Sequence, residues 1–178
     1  MNVPSEIFRT YDIRGVVGRT LTPEIVRAIG RALGSLARER GSAAGERGAP
    51  TFAVGRDGRL SGPELAGALA EGLNAAGADV IDIGMAPTPV TYFAAHHLKC
   101  GSCVSVTGSH NPPDYNGLKL VVGGTTLYGD DIQGLKKRID SENWSSGKGK
   151  RSAASVLDAY VERITSDVKL ARKMRIAI

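Results

Sequence analysis

The stretch TFAVGRDGRLSGPEL, residues 51–65, changes its rhythm halfway along. Thr51 to Val54 read as a short buried strand that stops at Gly55-Arg56-Asp57-Gly58. Ser61-Gly62-Pro63-Glu64 then has the form of a capping box, with Ser61 at the N-cap and Glu64 three residues on. It opens a helix with Leu65, Leu69 and Leu73 on one face, ending near Gly77. The unit is strand, glycine-rich turn, helix, and the chain on either side repeats it.

Toward the N-terminus, Thr22-Pro23-Glu24 is a helix start, with Thr22 as cap and Pro23 at the first helical position. Ile25, Ile29, Leu33 and Leu36 carry that helix to about Arg40, and residues 41–50 form a small polar loop. Toward the C-terminus, Asp79 to Ile83 is a strand, and residues 86–89 lead into another capped helix that runs to about Leu98. Cys103 to Thr107 is the next strand, a loop runs to Gly117, and Leu118 to Val122 is a further strand. Helices are expected at about 130–140 and 153–171. Alternation of this kind predicts an α/β fold, a three-layer α/β/α sandwich around a mixed, mostly parallel sheet. Ligands of such sheets bind beyond the carboxyl ends of the strands, where the loops GRDGR, MAPTP and TGSHNPPDYNG would gather. The expected organisation is an α/β domain over 1–150, a connecting helix over 151–172, and a strand over 173–178. That last strand reads as the start of a second domain, as if a longer protein were cut at a domain boundary.

Apolar residues make up 42% and charged residues 23% of the 178, ordinary globular usage that excludes a disordered chain. The net charge of +5 is local: residues 148–178 hold eight Lys or Arg against Asp158, Glu162 and Asp167, and the remainder balances. No aromatic residue is interleaved with Lys169, Arg172, Lys173 and Arg175 to stack bases, so the basic end reads as a solvated face rather than a nucleic-acid site. No window approaches the roughly 18 apolar residues of a membrane span. The start, MNVPSEIFRTYDIRG, lacks a basic segment followed by an apolar run, so a cytoplasmic location is expected.

Cys100-Gly-Ser-Cys103 follows His96 and His97, which invites a redox or zinc reading. Redox chemistry needs that motif to open a helix, and here it enters a buried strand. Adjacent histidines leave a helix on different sides, so they do not share a metal with both thiols. Two reduced structural cysteines are the expectation. In GRDGR, which has neither P-loop nor dinucleotide spacing, Asp57 reads as an acceptor of backbone hydrogen bonds and Arg56 as a brace between neighbouring loops.

The stretch VTGSHNPPDYNGLKL, residues 106–120, carries the candidate chemistry. Pro112 and Pro113 stiffen the loop from Asn111 onward, and Gly108 lets the backbone bend closely before Ser109. Free backbone N–H groups in such a bend can form an anion nest, and His110 and Lys119 can donate to an oxyanion. Ser109 could therefore carry a phosphoryl group. A plain Ser-Asn turn with mutually satisfied side chains fits the spacing as well, and spacing alone favours it.

The same loop resembles the phosphoserine loop of the α-D-phosphohexomutase family. FRTYDIRGVVG (8–18) is similar to that family's amino-terminal motif, VGRDGRLSGPEL (54–65) to its second signature, and DIGMAPTPVTYFAA (82–95) is also familiar from it. Together these segments cover most of residues 8–122 in the family's order. Tyr-Asp-Ile-Arg-Gly and Thr-Gly-Ser-His-Asn-Pro resemble the phosphomannomutase/phosphoglucomutase branch.

The resemblance implies a hexose 1-phosphate/hexose 6-phosphate mutase acting on glucose and mannose phosphates through a phosphoserine and a bisphosphorylated sugar. It implies Ser109 as carrier and, through its phosphate, one Mg2+ ligand. Arg14 and Lys119 would offset charge on the transferring group, His110 and Asn111 would shape the loop and contact phosphate, and Tyr11 would line the sugar's approach, with Arg9 and Arg56 behind them. The family's three-aspartate metal loop, sugar-recognition loop and last phosphate-binding domain have no counterpart before Ile178. The implied partners are therefore the family's remaining domains, and the chain alone is expected to be inactive. The alternative is a stand-alone phosphosugar- or anion-binding module without catalysis.

Overall fold

Helix α1 (Pro23–Ala43) starts where its cap says it should: the Thr22 hydroxyl accepts from the Ile25 amide at 3.4 Å, and Pro23 needs no partner at the first position. The computed structural model describes residues 3–45 and 48–177, so part of the loop expected over 41–50 and the end of the strand expected over 173–178 lie outside the described residues. A 3-10 turn (Ser5–Ile7) and strand β1 (Ile13–Val16) precede α1. After it come β2 (Thr51–Arg56), α2 (Gly62–Ala75), β3 (Asp79–Met85), α3 (Thr88–His97) and β4 (Gly101–Val106). The chain continues with β5 (Tyr115–Val122), β6 (Thr125–Thr126), α4 (Asp130–Asp140), β7 (Arg151–Ala153) and α5 (Leu157–Asp167).

The strands form one sheet in the order β1-β5-β4-β2-β3-β7, with β6 added to β5. It is mixed, and its two halves differ: β4-β2-β3-β7 is parallel, whereas β5 is antiparallel to β1, β4 and β6. The parallel share is thus smaller than the alternation of helices and strands suggested. The two sheet faces bury different cores. On one face Phe52, Val54, Val104, Val106, Leu118 and Leu120 pack under α1, α2 and α4. On the other, Ala53, Cys103 and Ile83 pack against Val90, Ala94 and Ala95 of α3 and Val156 before α5. These are the three layers expected.

Helices α1 and α2 meet backbone to backbone. A Cβ on Gly72 would overlap the carbonyl oxygen of Arg27, and one on Gly30 would overlap that of Leu69. Helix α4 is tied to α1 by the ion pair Arg40–Asp131 at 2.7 Å and by Arg138–Glu39 at 2.6 Å. The first of these anchors the last turn of α1, which extends past Arg40 to Ala43.

Four expectations need correcting. The capping box at Ser61 does not form: the Ser61 hydroxyl instead accepts from the side-chain amide of Asn116 at 2.9 Å. Asn116 is fully buried, and its amide protons need an acceptor more than the helix end does. At α3 the helix starts at Thr88 behind Pro87 with no side-chain cap, and the Thr88 hydroxyl pairs with that of Ser105 at 3.2 Å. Strand β5 begins at Tyr115 rather than Leu118, because β1, which the sequence did not reveal, pairs Val16 with Tyr115 and Arg14 with Gly117. Finally, 151–172 is not one helix. Arg151–Ala153 adds a strand to the β3 edge, with Arg151 paired to Asp82 at 2.9 Å, and only Leu157–Asp167 is helical. Residues 168–177 are in neither helix nor strand, since a strand needs a hydrogen-bonded neighbour and none is described there.

Candidate functional site

The carboxyl ends of β2, β3 and β4 lie together, with Arg56 in register with both Met85 and Val106. The loops GRDGR, MAPTP and TGSHNPPDYNG therefore leave the sheet side by side, as the βα pattern required.

The loop between β4 and β5 is built around one carboxylate and one guanidinium. Asp57 Oδ2 accepts from the Thr107 hydroxyl at 2.9 Å and from the Gly108 amide at 3.1 Å. The Thr107 hydroxyl in turn accepts from the Ser109 amide at 2.9 Å. Arg59 donates to four carbonyl oxygens: Asn111 and Pro112 at 2.6 Å, Tyr115 at 3.0 Å and Ser109 at 3.2 Å. Its Nε stands 3.3 Å from Asp57 Oδ2, which orients the fork. Asp57 is thus the backbone acceptor expected, but the brace is Arg59 and not Arg56, whose stem packs 3.4 Å from the Cβ position of Gly62 at the start of α2. The Asp57-x-Arg59 spacing was the available signal.

Within this frame Ser109 takes a left-handed backbone, φ +54°, which costs an L-residue about 1–2 kcal/mol and persists only where neighbours enforce it. Ser109 and His110 are exposed, and the Ser109 hydroxyl lies 3.3 Å from His110 Nδ1, either atom donating according to the tautomer. Asn111 turns inward, its side-chain amide donating to the Gly108 carbonyl at 3.2 Å. Next to the loop opens a cavity of about 750 Å3 lined by Ser109, Asn111, Pro113, Asp57, Arg59 and Leu60 among others.

The two cations expected at the site share one face of the sheet. Arg14 on β1 is opposite Gly117, and Lys119 on β5 follows two residues on, so both project to the side that holds α3. Arg14 is buried, paired through Nη2 with Asp12, and its Nε has no hydrogen-bond partner among the described residues. A buried guanidinium with an unused N–H is a ready anion ligand. Sequence reading missed Asp12 as its partner. Tyr11 stands 75% exposed in the turn between Phe8 and Ile13, and Arg9 is exposed in the same turn. That turn is anchored by the Thr10 carbonyl, which accepts from the Gly129 amide at 2.7 Å.

Cys100 and Cys103 are free thiols. Burial raises both, and pushes Cys103 up to about 12. Burial thus favours the protonated thiol at both positions, as in structural cysteines. Among the described residues no three His, Cys, Asp or Glu stand close enough to hold a metal, and no helix is long and apolar enough to cross a membrane.

Comparison with known proteins fits this geometry. The model of the family described as phosphoglucomutase/phosphomannomutase, alpha/beta/alpha domain I, matches residues 5–146. A phosphomannomutase/phosphoglucomutase of Pseudomonas aeruginosa is 49% identical over 99% of this chain and 36% of its own length. A phosphoglucomutase of Neisseria meningitidis is 43% identical over 99% of the chain and 37% of its own length. The crystal structure of a phosphoglucomutase/phosphomannomutase family protein from Burkholderia thailandensis superposes with a TM-score of 0.87 at 50% identity, covering 96% of this chain and 38% of that one. The chain therefore spans a little over a third of the length of these relatives.

Proposed function

The chain belongs to the phosphoglucomutase/phosphomannomutase family, and from that premise we propose that it is the phosphoserine-bearing first domain of a hexose phosphate mutase, with Ser109 as the phosphoryl carrier. The observation that carries the reading is the exposed Ser109 hydroxyl on a braced, left-handed backbone with His110 Nδ1 3.3 Å away.

In the first half-reaction the free hydroxyl oxygen of a glucose or mannose monophosphate bonds to the phosphorus of phosphoserine 109, and the P–Oγ bond breaks. The hydroxyl proton passes to Ser109 Oγ, with His110 placed to relay it. The resulting bisphosphate turns over in the site. Its other phosphoryl group then moves to Ser109 Oγ, and the serine proton returns to the sugar oxygen. Such a transfer needs position and positive charge more than covalent help. Lys119 and the unpartnered Nε of Arg14 supply charge on one face, Asn111 holds the loop and meets phosphate, and Tyr11 borders the sugar's approach.

Mg2+ would neutralise charge on the transferring group. This chain offers it one ligand, an oxygen of phosphorylated Ser109, because Asp57 is already committed to Thr107, Gly108 and Arg59. The remaining ligands and the far wall of the sugar site belong, on this reading, to the part of the relatives' length that the chain does not span. The unpaired thiols suit a cytoplasmic setting.

The test is turnover between hexose 1-phosphate and 6-phosphate in the longer protein that carries this domain. Ser109→Ala is expected to abolish it, and the 178-residue chain alone to show almost none. Retained turnover in Ser109→Ala would exclude the carrier. Normal turnover by the chain alone would exclude the need for further domains.

A further inference from the structure

We propose that Arg59 is the positioning residue for Ser109: its guanidinium gathers the carbonyls of the loop and so holds the serine backbone left-handed with the hydroxyl turned out. Only the chemical consequence rests on the mutase reading; the clamp itself rests on geometry. From outside the loop, Asp57 and Arg59 are the only side chains among the described residues that bond the backbone between Gly108 and Pro112. They divide the work by polarity. The carboxylate takes the amide at the loop's entry, and the guanidinium takes the carbonyls of Ser109, Asn111 and Pro112 and that of Tyr115 at its exit.

Five N–H donors in a rigid plane can serve four divergent carbonyls, and an ammonium cannot. Gly108 bears the complementary mark: a Cβ there would overlap the Arg59 guanidinium, so the position is empty because the arginine lies against it. With the carbonyls drawn inward to Arg59, the Ser109 side chain is left on the outer side, where it is exposed. Arg59 is only 15% exposed and acts through the loop backbone, not on the phosphoryl group.

The experiment is residue-resolved amide hydrogen exchange on the 178-residue chain, with Arg59→Ala, Arg59→Lys and Gly108→Ala beside the parent and Arg27→Ala as a control on an exposed ion pair. Arg59→Ala is expected to raise exchange of the Gly108 and Ser109 amides at least about tenfold while leaving α1 and α2 unchanged. Gly108→Ala, which displaces the guanidinium without removing it, should give the same local signature, and Arg59→Lys should not restore protection. In the longer protein Arg59→Lys should lower kcat about tenfold or more with KM nearly unchanged, because the serine is misplaced rather than the substrate site lost. Should Arg59→Ala not fold, Arg59→Lys and Gly108→Ala decide. Loop protection equal to the parent's in these variants, or loss spread evenly over the whole sheet, overturns the proposal. Turnover that survives Ser109→Ala would remove the carrier reading while the exchange result still judges the clamp.

Discussion

Ser109 is held at φ +54° by bonds from its neighbours, so the residue that suits the chemistry is not the one that suits the backbone. Glycine adopts that conformation without the Cβ penalty. Ser109→Gly is therefore expected to stabilise the chain by up to about 1 kcal/mol in denaturant unfolding while removing the proposed carrier. Ser109→Ala keeps the Cβ and should leave stability nearly unchanged. If both variants unfold at the parent's midpoint, the backbone at 109 stores no strain. The sequence around this residue was legible in part. Pro112, Pro113 and Gly108 announced a stiff loop, and Ser109, His110 and Lys119 announced polar chemistry, whereas Arg14 and Asn111 entered only through the family resemblance. What could not be read was which side chain would organise them. Arg56 and Arg59 are two arginines in one glycine-rich turn, and only the register of β2 against β4 decides that the second reaches the loop.

Elements were legible where one helix or strand answers to its own residues, and less so where a partner intervenes. The apolar spacing of α1 and α2 placed those helices within a few residues, and α4 lies where a helix was expected over about 130–140. Strand β1 buries one apolar side chain, Ile13, with Val16 half-buried, so its pairing with β5 had little local signal, and the start of β5 was misplaced with it. The Ser61 cap failed for the same reason, since a buried Asn116 from a distant strand claims the hydroxyl. Nor does a sequence say which glycines are structural. Gly72 and Gly67 lie on the same helix: a Cβ on Gly72 would run into the Arg27 carbonyl of α1, whereas one on Gly67 would meet nothing within 4 Å. Gly72→Ala is expected to destabilise by about 1–3 kcal/mol by forcing two backbones apart. Gly67→Ala should stabilise by about 0.5–1 kcal/mol through helix propensity alone. Equal effects of the two substitutions in chemical denaturation would mean that α1 and α2 are not in backbone contact in solution.

At the scale of the whole molecule, the sheet divides labour between its faces. The α1/α2/α4 face carries most of the buried apolar side chains, and the α3 face carries the smaller core and, beyond it toward β1, Arg14 and Lys119. The chain's last helix belongs to the weaker side. Leu157, Val161, Ile164 and Val168 recur at helical spacing along α5 and its end, yet they remain 54, 51, 44 and 57% exposed, and no residue of the helix is buried. Its anchorage is Val156, buried just before it, and Tyr160 edge-on to Phe93 at 5.4 Å. An isolated helix of this length is marginal in water, and so little burial adds little to it. In the 178-residue chain the α5 amides are therefore expected to exchange at least about a hundredfold faster than those of α1 and α2, as a separate low-stability unit. Val161→Ala and Ile164→Ala, which trim side chains already about half exposed, should leave the midpoint of global unfolding unchanged. Exchange in α5 as slow as in α1, or a lowered midpoint in either variant, would show that the apolar stripe is buried in solution and that the helix is part of the cooperative core.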